Sequence, residues 1–149
     1  MRSSSKPEPQ TRVLDAWVLL GWLKDQDPAA TFMEQLWHKA QARQADLILH
    51  SMNLGEVYYL AARAKGIHTA EFVLEDLRTR PLQIWPVSDE MVLDAARLKA
   101  RFRVSYADAF AVLTARTLQA PLVTGDPELR PLEKAGEVEL EWVESSWSR

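Results

Sequence analysis

The chain has 149 residues, of which 47% are hydrophobic and 26% are charged, so it is long enough for one globular domain with a substantial core. Its formal net charge of −3 shows no whole-chain basic excess, so nucleic-acid binding needs a local basic patch or a metal ion. It has no cysteine, which excludes disulfides, thiol catalysis and thiolate metal sites. The histidines have no metal-ligand spacing, and no apolar run approaches the roughly 18 residues of a membrane span.

Apolar segments and turn signals predict strands that alternate with helices. Residues 1–11 are polar, and we expect a flexible lead there, followed by a single domain over residues 12–149. The predicted strands cover residues 12–15, 46–51, 82–87, 121–126 and 138–143. The predicted helices follow Asp15 and cover residues 28–44, 53–66, 68–80, 88–102 and 104–115, with a broken helical turn over 126–136. This alternation predicts βαβ units, a parallel sheet and a three-layer α/β domain.

Four acidic residues fall where an active site is expected in such a sheet, beyond the carboxyl ends of its strands. Asp15 and Asp126 end the first and fourth predicted strands. Glu56 lies in the early turns of the helix that leaves the second strand. Asp108 begins the helix that runs back into the fourth strand, so its amino end lies at the same edge. We therefore expect all four carboxylates at one edge of the sheet.

Each acid also has a purely structural interpretation as a helix cap. Asp15 and Asp126 each precede a helical segment, Asp108 fits a capping box with Ser105, and Glu56 fits one with Asn53 as N-cap. The first two turns of the helix that carries Glu56 are mostly apolar all round, which predicts that this helix is buried. Because a buried carboxylate without a partner is costly, Glu56 should then face a cleft or a cation. Four independent caps stay open as the alternative.

The charges of these acids need compensation if they meet. Two carboxylates about 4 Å apart repel by roughly 4 kcal/mol at an effective dielectric constant near 20. The only basic residue within the four motifs is Arg63, about 10 Å along the helix from Glu56. The remaining choices are shared protons, a basic partner or a divalent metal. Oxygen ligands of this kind suit Mg²⁺ or Mn²⁺.

The segments VLDAWVLLGWL, MNLGEVYYLAARA, SYADAFAVLTA and LVTGDPEL resemble the PIN-domain family, specifically the VapC-type toxins of toxin–antitoxin pairs, in their order and spacing. The resemblance covers about residues 12–143 and implies a PIN-like fold, a five-stranded parallel sheet of order 3-2-1-4-5 flanked by helices. Thr124 matches the small hydroxyl residue two positions before the last acid, whereas Trp17 departs from a frequent small polar residue. The resemblance assigns the acidic quartet to Asp15, Glu56, Asp108 and Asp126.

The resemblance also implies a function. It points to a Mg²⁺-dependent endoribonuclease, with Mn²⁺ able to substitute, that cuts structured RNA by attack of metal-activated water on the phosphodiester. Asp15, Asp108 and Asp126 would hold the metal, and Glu56 would complete the shell or hold the attacking water as general base. A cognate antitoxin, a homodimer, a cytoplasmic location and no membrane association are further implications.

Two charged segments lie outside the quartet. The acidic residues near the carboxyl terminus, Glu137, Glu139, Glu141 and Glu144, predict an alternating edge strand with a solvated face. A basic group is interpreted either as a solvated helix face or as contacts to the RNA backbone. It consists of Arg97, Lys99, Arg101, Arg103 and Arg116.

Three other functions compete with the ribonuclease. A non-catalytic PIN-like module that binds RNA or protein would typically have lost an acid, and Trp17 is the one feature that favours it. A phosphoacceptor receiver domain would need paired acids after the first strand and a lysine at the end of a late strand. A DNA nuclease on the same fold stays open, because acid geometry does not separate RNA from DNA.

Overall fold

The computed structural model describes residues 7–144, which form five strands and seven α-helices. In chain order the elements are β1 (Gln10–Leu14), α1 (Ala16–Leu23), α2 (Ala29–Gln41), β2 (Ala45–His50), α3 (Ser51–Lys65), α4 (Ile67–Thr79), β3 (Gln83–Trp85), α5 (Asp89–Arg101), α6 (Tyr106–Leu118), β4 (Leu122–Thr124), a 3-10 turn (Pro127–Leu129), α7 (Arg130–Lys134) and β5 (Leu140–Trp142). Among these residues no helix is long and apolar enough to cross a membrane.

The strands form one parallel sheet in the order β3-β2-β1-β4-β5, as predicted. The first strand is central and pairs with β2 on one side and β4 on the other. Leu14 is in register with Val123, so the residues that follow β1 and β4 leave the sheet side by side. This register brings Asp15 next to the end of β4 and defines the edge on which the acids meet.

Alternation along the strands builds two cores, one on each face of the sheet. Leu14 packs with α1 to α4 on one face, whereas its neighbour Val13 packs with α5, α6 and α7 on the other. In β2, Leu47 and Leu49 join the first core and Ile48 joins the second. Successive side chains of a strand point to opposite faces, so this period-two pattern produces the three-layer α/β architecture.

Helix α6 is the most deeply enclosed helix. Its residues from 108 to 115 are all buried, which agrees with the nearly uncharged sequence. The Ser105 hydroxyl caps the helix by accepting a hydrogen bond from the Asp108 amide at 3.1 Å. The predicted serine cap is therefore confirmed, and the capping serine fixes the first turn of α6 at the sheet edge.

Several predicted boundaries were wrong by a few residues. The first strand begins at Gln10, so the last two residues of the expected lead are strand, and residues 1–6 lie outside the described part of the chain. Helix α2 begins at Ala29, one residue after the predicted start at Pro28, although the Asp27 carboxylate accepts a hydrogen bond from the Thr31 amide. The strands β3, β4 and β5 are three residues each, shorter than predicted.

Helix α3 departs most from its prediction. It begins at Ser51, and its N-cap is His50, whose Nδ1 accepts a hydrogen bond from the Met52 amide at 3.0 Å. Asn53 is therefore inside the helix and is not its cap. The helix is not buried all round, because only Asn53 and Val57 are buried and Tyr59 is 44% exposed. The apolar residues of α3 therefore do not all pack against the sheet, and some of them, such as Tyr59, remain exposed to solvent.

As predicted, β5 is an edge strand and Glu139 and Glu144 are exposed, but the other two acidic residues near the carboxyl terminus are less solvated than predicted. The Glu137 side chain is only 11% exposed and pairs with the guanidinium groups of Arg101 and Arg116. Glu141, within β5, pairs with Arg12 of β1 at 2.7 Å. Cross-element ion pairs, which sequence alternation cannot reveal, draw these acids inward.

Candidate metal centre

Thr124 links the acids that follow β1 and β4. Its fully buried hydroxyl donates to Oδ2 of Asp15 at 2.8 Å and accepts from the Asp126 amide at 3.0 Å. Asp15 is the N-cap residue of α1, but its carboxylate makes no capping hydrogen bond. The capping interpretation of Asp15 therefore fails, and its side chain is instead directed towards the end of β4.

Asp126 and Asp108 reach the same place from different elements. The Asp126 carboxylate accepts from the Glu128 amide at 3.0 Å and so caps the 3-10 turn. Asp108, in the first turn of α6, is 7% exposed. Asp15, Asp108 and Asp126 each place one carboxylate oxygen within 4.8 Å of the others. We call this group the three-acid centre.

Glu56 lies beside the three-acid centre but is not one of its three members. Its side chain is partly buried on α3, and burial together with the charges of Asp108 and Asp126 raises its pKa. The structure thus places three of the four predicted acids close enough together to bind one ion. The fourth, Glu56, lies near enough for the charges of Asp108 and Asp126 to raise its pKa.

The electrostatics of the centre favour protonation. Burial, and next the charge of Asp108, raise the pKa of Asp15 to about 7, although the Thr124 hydrogen bond opposes this rise. Burial and the charge of Asp126 raise the pKa of Asp108 to about 6, against the hydrogen bond of Ser105. In the metal-free protein, Asp15 therefore keeps its proton up to about pH 7 and Asp108 up to about pH 6, a range in which ordinary aspartates are ionised.

No basic side chain in the described part of the chain forms an ion pair with the acids of the centre. Within residues 7–144, none of the ion pairs involves Asp15, Glu56, Asp108 or Asp126. Arg63, the cation nearest in sequence to Glu56, lies over the ring of Tyr59 instead. Converging carboxylate oxygens without a basic partner are a donor set that fits a hard divalent cation such as Mg²⁺ or Mn²⁺.

The sequence profile of the PIN domain matches residues 12–135, most of the chain. The chain belongs to the PIN domain family. A comparison with curated protein sequences found no significant match.

Solved structures with this PIN fold include toxin–antitoxin proteins. VapBC2 of Rickettsia felis, solved with a DNA fragment from the promoter, has a TM-score of 0.69 and 17% identity, over 91% of this chain and 100% of that chain. VapC20 of Mycobacterium tuberculosis, a sarcin–ricin loop cleaving toxin, has a TM-score of 0.68 and 18% identity, over 87% and 98%. DNA-bound VapBC of Salmonella typhimurium has a TM-score of 0.68 and 16% identity, over 89% and 97%. At such low sequence identities, the similarity establishes a shared fold only.

Trp17 of this PIN domain packs against the backbone between Thr124 and Asp126. A Cβ atom built on Gly125 would lie 2.6 Å from Cζ3 and 2.7 Å from Cζ2 of the indole. Real Cβ atoms do not approach other atoms so closely, so the ring rests directly on the glycine. The residue that departs from the family pattern therefore forms one wall of the turn that presents Asp126.

The five basic residues that are predicted to contact the RNA backbone occupy different environments. Arg101 and Arg116 share Glu137, which lies before β5 and so near the amino ends of the strands, opposite the acids. Arg97 pairs with Asp94 on α5, and Lys99 donates to the Val104 carbonyl oxygen at 2.6 Å. Arg103 is exposed in the loop before α6 and has no ion pair among the described residues.

Three residues near the centre escaped the sequence interpretation. His50 and Gly125 lie within the predicted strands over residues 46–51 and 121–126 and have no predicted role there, and Asn53 is predicted only as a cap. The predicted capping box connects Asn53 with Glu56 but puts Asn53 at the N-cap, whereas the structure places both residues inside α3, three positions apart and on one face. No sequence pattern indicated that Gly125 lies under an indole ring.

The raised pKa values predict an unusual pH dependence for the metal-free protein. Between about pH 4 and pH 7 the folded state keeps a proton on Asp15 that the unfolded chain has released, so this group lowers stability as pH rises. The Asp15→Asn change removes that titration. In EDTA, the melting temperature of Asp15→Asn relative to wild type should therefore increase by about 3 °C or more from pH 5 to pH 8. A difference that stays constant over this range would contradict the burial argument.

Proposed function

We propose that this PIN domain is a Mg²⁺-dependent endoribonuclease, with Mn²⁺ able to substitute, and the toxin of a toxin–antitoxin pair. The observation that carries the proposal is the three-acid centre, in which two buried carboxylates and the half-buried Asp126 converge with no ion pair to a basic side chain among the described residues. The structural neighbours support the toxin assignment, because they include VapBC proteins and a toxin that cleaves the sarcin–ricin loop. Structured RNA is accordingly the proposed substrate class.

The roles of the acids follow from their positions. Asp15, Asp108 and Asp126 would hold the cation, and Thr124 orients Asp15 through its hydroxyl while it fixes the Asp126 amide. When bound, such a cation polarises the scissile phosphate and lowers the pKa of bound water. Glu56, beside the centre, either completes the shell or accepts the proton of the attacking water as general base. Its raised pKa suits the second role, since a base works best near the ambient pH.

The proposed partners are a cognate antitoxin, RNA and a second copy of the chain in a homodimer, and the proposed location is the cytoplasm. The antitoxin is supported by neighbours solved as VapBC proteins.

The direct test is cleavage by the purified protein after removal of any antitoxin. Structured RNA should be cut with Mg²⁺ or Mn²⁺ and stay intact with EDTA, and DNA of the same sequence should stay intact throughout. Cleavage of DNA at an equal rate would contradict the ribonuclease proposal and favour a DNA nuclease on the same fold. No cleavage of either, together with no metal binding, would favour the non-catalytic module that binds RNA or protein.

The basic residues Arg97, Lys99, Arg101, Arg103 and Arg116 remain proposed contacts to the RNA backbone, and their environments rank them. Arg103 is exposed and lies just before Ser105, the cap of the helix that carries Asp108. We expect Arg103→Glu to weaken RNA binding and to reduce the slope of log affinity against log salt by about 0.7 or more. The matched control is Arg78→Glu, an exposed arginine of α4 outside the proposed contacts that pairs with Glu75. Equal affinities and slopes for both variants and wild type would remove Arg103 from the proposal.

A further inference from the structure

Two exposed tyrosines lie close in sequence to the acids, on the helices that carry Glu56 and Asp108. Tyr59 comes three residues after Glu56 in α3, a spacing that places both side chains on one side of the helix. Tyr106 is the first residue of α6, two positions before Asp108. Each tyrosine is 44% exposed. Because both helices begin at the sheet edge on which the acids meet, an RNA bound at the three-acid centre passes close to both rings.

A cationic side chain lies over each of these rings. The Arg63 guanidinium is 5.0 Å from the centroid of the Tyr59 ring, and Arg63 is exposed and has no ion pair among the described residues. The Lys99 ammonium is 4.9 Å from the centroid of the Tyr106 ring and donates to the Val104 carbonyl oxygen at 2.6 Å. A cation over an aromatic face is attracted by the ring electrons. Each tyrosine therefore has a positive charge held beside it.

Packing of the protein interior does not explain these tyrosines. Neither Tyr59 nor Tyr106 belongs to the two buried cores. The Tyr106 ring stacks on Phe110 with their centroids 6.1 Å apart, which fixes its position while the side chain stays nearly half exposed. A ring that keeps so much of its surface in water gains only part of the free energy of full burial. The exposed ring surface is thus available to a ligand.

Rings that are paired with cations beside an acidic metal centre fit a nucleotide. An unpaired base has a flat face that stacks on an aromatic side chain, and the phosphate next to it attracts a nearby arginine or lysine. A second copy of the chain fits this surface less well. A two-fold interface would place the same patch on both sides, so Arg63 and Lys99 would face like charges.

We propose that Tyr59 and Tyr106 stack unpaired bases of the RNA next to the phosphate that the three-acid centre holds. In this arrangement Arg63 and Lys99 contact neighbouring phosphates. The inference rests on the proposed function, because it places these bases relative to the phosphate that is cut. Arg103, exposed in the loop before α6, extends the same surface.

The test is binding of a fluorescently labelled RNA hairpin with an unpaired loop, measured by anisotropy in EDTA so that the RNA stays intact. Tyr59→Leu and Tyr106→Leu should each weaken binding about tenfold, whereas Tyr59→Phe and Tyr106→Phe should stay within about twofold of wild type. The slope of log affinity against log salt should not change in the leucine variants, because stacking releases no counterions.

The matched control is Phe72→Leu. Phe72 is an aromatic residue that is 74% exposed on α4, a helix that carries none of the four acids. It should leave RNA affinity unchanged, which separates stacking beside the acids from a general effect of exposed rings. Melting temperatures close to that of wild type should accompany the leucine variants, because neither ring belongs to a core.

Several outcomes would overturn the inference. Wild-type affinity in both leucine variants would do so, and so would an equal loss in the phenylalanine variants, since the ring would then not be what binds. Unchanged RNA affinity together with a change from dimer to monomer in sedimentation would assign the patch to a second copy. A wild type that binds no RNA would contradict both proposals. A wild type that binds RNA without cutting it when Mg²⁺ is added would overturn only the proposed function, because the binding assay needs no cleavage.

Discussion

Asp108→Asn should abolish metal-dependent cleavage and at the same time stabilise the metal-free protein. Asparagine keeps the shape and leaves the backbone amide on the Ser105 hydroxyl, so α6 remains capped. The change removes a buried charge that repels Asp15 and Asp126, so the melting temperature in EDTA should rise. It also removes one oxygen charge from the proposed metal shell, so activity should fall by more than the roughly 100-fold that follows loss of a group outside such a shell.

The opposite signs of these two effects make the prediction specific. A residue that only capped α6 would change stability and activity in the same direction. The control is Asp94→Asn, which removes an exposed carboxylate that pairs with Arg97 and should alter neither the response to metal nor the cleavage rate. If Asp108→Asn kept full metal-dependent activity, Asp108 would be no metal ligand.

Gly125→Ala should damage the centre because the new methyl group has no room beside Trp17. The added carbon would fall within van der Waals overlap of several indole atoms, and the neighbouring residues are Thr124 and Asp126. Overpacking of this kind typically costs about 1–3 kcal/mol and shifts the backbone. We expect a shifted Asp126 carboxylate, and a loss of Mn²⁺ affinity of about tenfold or more, measured by titration calorimetry.

A second substitution tests the cause of that loss. If the clash is with the indole, Trp17→Leu combined with Gly125→Ala should recover most of the Mn²⁺ affinity. Gly55→Ala is the matched control, because nothing lies within 4 Å of a Cβ atom added at that helical position. It should preserve Mn²⁺ binding and stabilise α3 by about 0.5–1 kcal/mol. Failure of the Trp17 change to restore binding would show that Gly125 is needed for another reason.

The fold and the three-acid centre were predictable because both depend on order along the chain. Parallel strands end at one edge of the sheet, so Asp15 and Asp126 could be placed there from the strand boundaries alone. The helix from Ser105 onwards was recognisable from its cap and its lack of charge. The shared edge and the capped helix follow from local pattern, whereas the strand order that puts β1 beside β4 is what the resemblance to the PIN-domain family implied, and the structure agrees with both.

Contacts between distant segments were not predictable. His50 caps α3 through a ring nitrogen, so the N-cap position carries none of the usual cap residues, and Asn53 inside the helix was mistaken for the cap. Glu137 is drawn inward by Arg101 and Arg116, which come from different helices. The seating of Trp17 on Gly125 likewise joins the segments that follow β1 and β4. The cap of α3 is local but uses an unusual residue, whereas the contacts of Glu137 and Trp17 depend on which surfaces meet after folding.

The measurement that tests the central claim most directly is a Mn²⁺ titration of the antitoxin-free protein, followed by calorimetry, with Asp15→Asn beside the wild type. Saturable binding of at least one Mn²⁺ per chain, lost in Asp15→Asn and displaced by Mg²⁺, is the result that the three-acid centre predicts. Binding that does not saturate, or that is equal in Asp15→Asn, would show that the converging carboxylates hold protons and not a metal.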